Sequence, residues 1–233
     1  MHGGRAREFP VGTGRLAVPL LERGVDLYGF DNSPEMLRQL LGKLAERAMQ
    51  EESTRFNAWD ALHTPYPCTP QTFDVAAVAF ASFSLIHSNM TTPVEDNRVL
   101  RELNRLLPVG GRVVVNDYRT TLIDRQRLDE PHVFDHVHTH PVHGEILEEQ
   151  RSRFRVEPNR LVHDQVIRYR TSRLVRISDG TVLRESTEVT PIWDIASFRV
   201  LGKDAGLEHV ASELVDFYAD ETINHVFVKR HDL

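Results

Sequence analysis

The feature that most constrains the fold is a repeated alternation of strand-like and helix-like segments over the first 117 residues. The run FDVAAVAF (73–80) is apolar apart from Asp74, as in a parallel strand buried on both faces. The segments between the strands place leucines at helical spacing. The expected strands cover residues 8–11, 25–30, 54–59, 73–80 and 112–116, and the expected helices cover 15–23, 34–44 and 94–107. This order predicts an α/β fold, a Rossmann-like parallel sheet with helices on both faces.

The second half of the chain follows a different pattern. Arg160–Ile177 and Thr181–Thr190 partly alternate apolar and polar residues, and Ser178-Asp-Gly between them is a hairpin turn signal. They predict an inserted antiparallel β cap. Pro131 and Pro141 predict an irregular loop in the segment before it.

The end of the chain returns to the main fold. We predict a helix over Ile192–Lys203 and a closing antiparallel strand pair over Leu207–Leu214 and Ile223–Lys229. The expected organisation is a single domain over 1–233, with 118–190 as an inserted lid.

Composition excludes several classes of protein. No run of 18 apolar residues is present, so we expect no membrane span. The polar start, Met1–Arg7, does not resemble a signal peptide. Cys68 is the single cysteine, which excludes an intramolecular disulfide and favours a cytoplasmic location. The formal charge of −6, without a lysine/arginine block, does not favour nucleic-acid binding.

A glycine loop and two aspartates lie where a nucleoside could bind. Gly12 and Gly14 stand between a strand and a helix, where glycine lets the backbone approach a ligand closely. Asp31 ends the next strand, where a carboxylate can accept hydrogen bonds from both ribose hydroxyls. Asp60 ends the third strand, within reach of an adenine amino group. Each feature alone also occurs in ordinary turns and helix caps, but their order favours nucleoside binding.

These segments resemble the class I S-adenosylmethionine (SAM)-dependent methyltransferases. GTGRLAVPLLERGVDLYGFDNSPEML (12–37) looks like the first two family motifs, and NAWDA (57–61) is similar to the third. FDVAAVAFASFSLIH (73–87) resembles the fourth strand with the start of the substrate loop. LRELNRLLPVGGRVVVNDY (100–118) resembles the helix, turn and fifth strand. The resemblance covers about 8–118 well and 190–230 weakly.

The resemblance implies a methyl transfer from SAM to an O or N nucleophile of a small molecule. It places the acidic Glu8 near the SAM amino group, Met36 against the adenine, and Phe80 with Ala81 beside the methionine moiety. Met36 could instead be a core residue on one face of an amphipathic helix, with no role in binding. The implied cofactor pocket consists of Glu8, Gly12, Gly14, Asp31, Asn32, Met36, Asp60, Ala61, Phe80 and Ala81.

The chain departs from the family pattern at two points. Pro10 stands where the family has its first motif glycine, and proline lacks an N–H and fixes φ. Seven residues precede Glu8, whereas family members usually have a few tens. We expect from this either a late chain start or a more open cofactor site.

Candidate catalytic residues follow the fourth and fifth strands. His87 could act as general base because its ordinary pKa lies near neutrality. A helix-capping or surface histidine fits the position equally well. Asp117 and Tyr118 end the fifth strand on the expected substrate side.

Five histidines occur within twelve residues, at 132, 136, 138, 140 and 143. On an extended strand, His136, His138 and His140 would share one face, as metal ligands could. We favour a lid lining the acceptor pocket and predict no metal.

Two other functions remain open. GTGRLA also satisfies the Gly-x-Gly-x-x-Ala pattern of NAD(P)-dependent oxidoreductases, with Asp31 at the right distance for a ribose. Pro10 and the short lead-in motivate a non-methylating, repurposed member of the methyltransferase fold. The expected partner is a small-molecule acceptor, and the long hairpin offers an edge for a homodimer.

Overall fold

The computed structural model describes residues 4–87, 97–118, 130–216 and 221–231. The chain divides into two compact units. The first contains the described residues up to Ile86, from Asn97 to Tyr118 and from Ile195 onward. The second contains His87 and residues 130–194.

The first unit is built from strands alternating with helices. Its strands are β1 (Arg5–Glu8), β2 (Asp26–Asp31), β3 (Phe56–Ala58), β4 (Val75–Val78), β5 (Arg112–Tyr118), β10 (Leu207–Asp216) and β11 (Glu221–Lys229). Its helices are α1 (Ala17–Glu22), α2 (Pro34–Glu46), α3 (Ser82–Ile86), α4 (Arg98–Leu106) and α5 (Ile195–Asp204). A 3₁₀ helix at Gln50–Arg55 replaces the beginning of the third predicted strand.

These strands form one seven-stranded sheet in the order β10-β11-β5-β4-β1-β2-β3. The pairs β5–β4, β4–β1, β1–β2 and β2–β3 are parallel. The two C-terminal strands are antiparallel and complete the edge beside β5. The predicted Rossmann-like sheet with its closing antiparallel pair is confirmed.

The start of α2 follows directly from its sequence. The Ser33 hydroxyl accepts a 3.3 Å hydrogen bond from the Met36 N–H, and Pro34 occupies the first helical turn. Leu37, Leu40 and Leu44 then line one buried face. They pack in a cluster with buried residues of α1, β2 and β3, which holds the helix against the sheet.

The second unit is a four-stranded antiparallel sheet. Its strands, in spatial order, are β6 (His132–His140), β7 (Gly144–Asn159), β8 (His163–Arg176) and β9 (Val182–Ile192). The two predicted antiparallel strands are therefore present as β8 and β9, and the sheet has two more strands than the sequence indicated. The irregular loop expected around Pro131 and Pro141 is wrong, because both prolines flank β6 and leave its ladder intact.

No helix in the described part of the chain is long and apolar enough to cross a membrane.

Candidate functional site

Glu8 and Asp31 end two neighbouring parallel strands, so both lie at the carboxyl edge of the sheet. Glu8 is 1% exposed, and its Oε2 atom has no hydrogen-bond partner among the described residues. Burial, followed by the nearby charge of Asp31, raises the pKa of Glu8 to about 8. A buried carboxyl with an unused oxygen is suited to accept a hydrogen bond from a cationic ligand group.

The glycine loop is tied to the end of β2. The Gly12 N–H donates a 2.7 Å hydrogen bond to Asp31 Oδ2, and the Ser33 N–H donates a 2.9 Å bond to Oδ1. Gly12 and Gly14 have φ of +55° and +76°, which glycine adopts readily. A Cβ atom on Gly12 would meet nothing within 4 Å, whereas one on Gly14 would contact Leu40 and Val18. The loop is therefore open at Gly12 and packed at Gly14.

Pro10 fits this loop without a missing hydrogen bond. On its two sides, the Phe9 N–H donates to Ala77 O at 3.0 Å, and the Val11 N–H donates to Phe30 O at 2.9 Å. Below it, the Phe9 ring stacks on Phe30 at 4.9 Å between ring centroids. The backbone on either side of Pro10 is thus anchored to β4 and β2.

Asp60 and Ala61 follow β3 at the same edge. The Trp59 N–H donates a 3.0 Å bond to Asp31 O, which joins the two strand ends. Asp60 is exposed, and its Oδ1 accepts a 2.9 Å bond from the Leu62 N–H. Ala61 is buried, and its carbonyl accepts a 2.9 Å bond from the Tyr66 hydroxyl.

Phe80 and Ala81 follow β4 in a left-handed backbone conformation, with φ of +58° and +56°. Asn116 holds both residues: its side-chain oxygen accepts from the Phe80 N–H at 3.0 Å, and its carbonyl accepts from the Ala81 N–H at 3.0 Å. The Asn116 amide donates in turn to Thr222 and Asn224 of β11. The role of Asn116 does not follow from the sequence pattern. The sequence feature that points to it is a polar residue within the apolar strand VVVND.

Asn32 and Met36 lie at the N-terminus of α2, and both are exposed. Met36 is 42% exposed, so the alternative that it is a core residue is wrong. Its side chain is available to a ligand at this edge of the sheet.

The acceptor-side candidates have different environments. His87 is 0% exposed and its ring lies edge-on to Trp193, with 6.0 Å between centroids, so the surface alternative is wrong. Asp117 is buried at the end of β5 and accepts a 2.8 Å bond from the Ser84 hydroxyl. Tyr118 is the last residue of β5, and its side chain lies outside the described part of the structure.

The histidine cluster forms part of β6. The strand is regular, so His136, His138 and His140 share one face, as predicted. The rings of His136 and His138 stack with 6.0 Å between centroids. Within the described ranges, no group of three or more His, Cys, Asp or Glu is arranged to hold a metal ion.

The order of the main sheet and its ligand edge, built from glycines and strand-end carboxylates, are similar to those of the class I SAM-dependent methyltransferases. Residues 8–111 match the family model described as "Methyltransferase domain".

The chain is also similar to curated proteins that are named as methyltransferases. An uncharacterized methyltransferase of Geobacillus kaustophilus (strain HTA426) is 32% identical over 125 residues, which are 53% of this chain and 52% of the relative. The chain spans about half the length of the curated relatives it matches.

Two solved structures resemble nearly the whole chain. The CcbJ methyltransferase from Streptomyces caelestis has a TM-score of 0.69 at 17% identity, covering 99% of this chain and 85% of that one. The sugar N-methyltransferase KedS8 from Streptoalloteichus sp. ATCC 53650 has a TM-score of 0.64 at 19% identity, covering 98% and 81%. At such identities the likeness concerns the fold.

The residues at the site fit SAM, the cofactor of this class. Glu8 offers a buried carboxyl oxygen without a partner for an ammonium group. Gly12 leaves open space beside the Asp31 carboxylate. The match to the methyltransferase family model favours this cofactor over the NAD(P) alternative.

Proposed function

We propose that the protein is a SAM-dependent methyltransferase that acts on an O or N nucleophile of a small molecule in the cytoplasm. The observation that carries this proposal is the carboxyl edge of β1 and β2. There, the glycine loop is hydrogen-bonded to Asp31 beside the unpartnered carboxyl oxygen of Glu8.

Bound SAM would supply a methyl group activated by its positively charged sulfur. Glu8 would accept a hydrogen bond from the amino group, and Asp31 would accept bonds from the ribose hydroxyls through the lone pairs that Gly12 and Ser33 leave free. Asp60 would meet the adenine amino group, with Met36 covering the ring. The remaining expected pocket residues are Gly14, Asn32, Ala61, Phe80 and Ala81.

For transfer, the protein mainly holds donor and acceptor in line, which can supply about 7–11 kcal/mol of the barrier. His87, or Tyr118 at the end of β5, would remove the acceptor proton.

We infer a lid function for 118–190 within a single domain. The fold likeness to KedS8, a sugar N-methyltransferase, supports a small-molecule acceptor. A homodimer through the β hairpin is a further part of the proposal.

Calorimetric titration with SAM and with S-adenosylhomocysteine tests the cofactor. We expect saturable binding of both, and no binding of either at millimolar ligand would overturn the proposal. The matched comparison is a titration with NADH, monitored through the fluorescence of the cofactor. Tight NADH binding with no SAM binding would favour an oxidoreductase.

Activity is tested by release of S-adenosylhomocysteine across a panel of amino sugars, phenols and amines. Turnover on one acceptor supports the proposal. SAM binding without transfer to any acceptor of a broad panel would favour a repurposed, non-methylating member of the fold.

A further inference from the structure

A ligand-sized pocket lies beside the β10–β11 pair, at the end of the main sheet away from Glu8 and Asp31. Leu207, the first residue of β10, pairs with Lys229, the last residue of β11. The neighbouring Val228 pairs with Arg112, which begins β5. Because β11 runs antiparallel to β5, this end of the hairpin lies with the amino ends of the parallel strands. Glu8 and Asp31 lie at the carboxyl ends of the parallel strands. The two sites are therefore separated by the length of the strands.

The pocket is open and has a volume of about 470 Å³. It is formed where the end of α5 meets the start of β10. Five of its lining residues are basic, and one is acidic. The lining consists of Arg199, Lys203, Gly206, Leu207, Glu208, His209, Arg230 and His231.

Two of these cationic side chains have no counter-charge among the described residues. Arg230 forms an ion pair with Glu208 and so neutralises the one acidic group of the lining. Arg199 and Lys203 are four residues apart on α5, hence on the same helix face. Neither side chain makes a hydrogen bond or ion pair with any residue in the described ranges. Two uncompensated charges therefore converge on one pocket in a chain whose formal net charge is −6.

A chain of polar side chains, partly buried, supports the wall of the pocket. His209 Nε2 lies 3.0 Å from the Ser212 hydroxyl, which lies 3.1 Å from His225 Nδ1. The His225 ring is buried and packs on Phe198 with 4.0 Å between centroids. His209 is thus oriented from behind, and burial together with the charge of Arg199 lowers its pKa.

We propose that this pocket binds an oxyanion of the phosphate class, either free or carried by a small molecule. Guanidinium and ammonium groups are the side chains that bind phosphate oxygens most strongly. An oriented imidazole adds a further donor. The pocket exceeds the size of one phosphate, so it has room for an attached group. This site is separate from the cofactor edge and does not depend on methyl transfer.

The test is an NMR titration of the ¹⁵N-labelled protein with inorganic phosphate and with glycerol 3-phosphate, in buffer without other multivalent anions. We expect saturable shifts of the Gly206–His209 amides. A bound anion favours the protonated imidazole, so the pKa of His209 should rise on binding. Arg199, Lys203, Glu208, Arg230, His231 and His225 are the other groups that face it. Tighter binding of glycerol 3-phosphate would indicate a phosphorylated metabolite, and equal binding would indicate free phosphate.

The variant R199E/K203E should bind at least tenfold more weakly. R153E/R184E changes the net charge equally at two exposed arginines of the second unit and should bind within twofold of the wild type. Equal losses in the two variants, or no saturable binding by the wild type, would overturn the proposal. If R199E/K203E does not fold, R199Q/K203Q replaces it. SAM binding should be the same in all of these variants, so a failure here is distinct from a failure of the proposed function.

Discussion

The Gly12 N–H donates a 2.7 Å hydrogen bond to the carboxylate of Asp31, nineteen residues further along the chain. This bond joins the glycine loop after β1 to the end of β2. It fixes the loop in an open conformation before any ligand arrives, so little loop ordering remains to be done on binding.

Replacing Asp31 by asparagine should weaken SAM binding. The variant keeps the shape but loses the charge and one acceptor oxygen, so the hydrogen bonds from Gly12 and Ser33 can no longer both be retained along with those to a ribose. Bonds to a charged group contribute about 1.5–3 kcal/mol each, so we expect a rise in Kd of roughly 10- to 100-fold. The control is D26N at the start of β2, where Asp26 pairs with Arg5 and Arg55. Unchanged affinity in D31N, measured by calorimetry, would contradict the assigned role.

The M36A variant should separate ligand binding from stability. Met36 is 42% exposed, so its truncation should change the free energy of unfolding by less than about 0.5 kcal/mol. If it covers the adenine, SAM binding should weaken by roughly 5- to 20-fold through lost apolar contact. L41A, at a position 39% exposed on the same helix, is the matched control. An equal effect of both variants on SAM affinity would show that Met36 has no special role.

The pH dependence of stability should report on Glu8. Its pKa in the folded state is raised to about 8 from an ordinary value near 4.5. Between these values the folded protein holds a proton that the unfolded chain releases. The stabilising contribution is therefore complete below about pH 4.5 and is lost as the pH rises to about 8.

The comparison is urea unfolding of the wild type and E8Q from pH 5 to 8.5. The glutamine stays neutral, so E8Q should gain stability relative to the wild type as the pH rises, on the order of a few kcal/mol in total. E46Q, at an exposed position of α2, should show no such trend. A constant difference between E8Q and the wild type across this range would refute the raised pKa.

Two glycines should respond oppositely to alanine. Gly14 has a φ of +76°, and an added Cβ would push against Leu40, which is 0% exposed. G14A should lower the free energy of unfolding by about 1–3 kcal/mol. Gly42 lies inside α2 with nothing within 4 Å of an added Cβ, so G42A should raise it by about 0.5–1 kcal/mol. Chemical denaturation measures both, and a stable G14A would mean that the loop is not packed on α2.

The sequence predicted most of the first unit because its signals are local. Asn32-Ser33-Pro34 marks the start of α2, and the apolar run 73–80 contains β4. The missed strands carry many charged or titratable residues: β6 has four histidines, and β7 has four glutamates and three arginines. Backbone hydrogen bonds to the neighbouring strands hold β6 and β7 in the sheet. The two strands therefore need no regular alternation of apolar and polar residues, which is the pattern that predicts a strand from sequence.

The same distinction applies to the site. Glu8, Asp31 and Phe80 lie at strand ends, which chain order alone can locate. Other features depend on contacts between segments that are far apart in the chain, which a single sequence does not reveal. Examples are the hydrogen bond from the Phe80 N–H to Asn116 and the stacking of Phe9 on Phe30 beside Pro10.

The position of β11 in the sheet has a consequence during synthesis. Asn116 in β5 depends for its amide partners on Thr222 and Asn224, more than one hundred residues later. On the ribosome, the second unit must be translated before β11 can emerge and cover the edge of β5. During that interval, the edge of the apolar strand β5 has no partner strand. At that stage the nascent chain should depend most on chaperones.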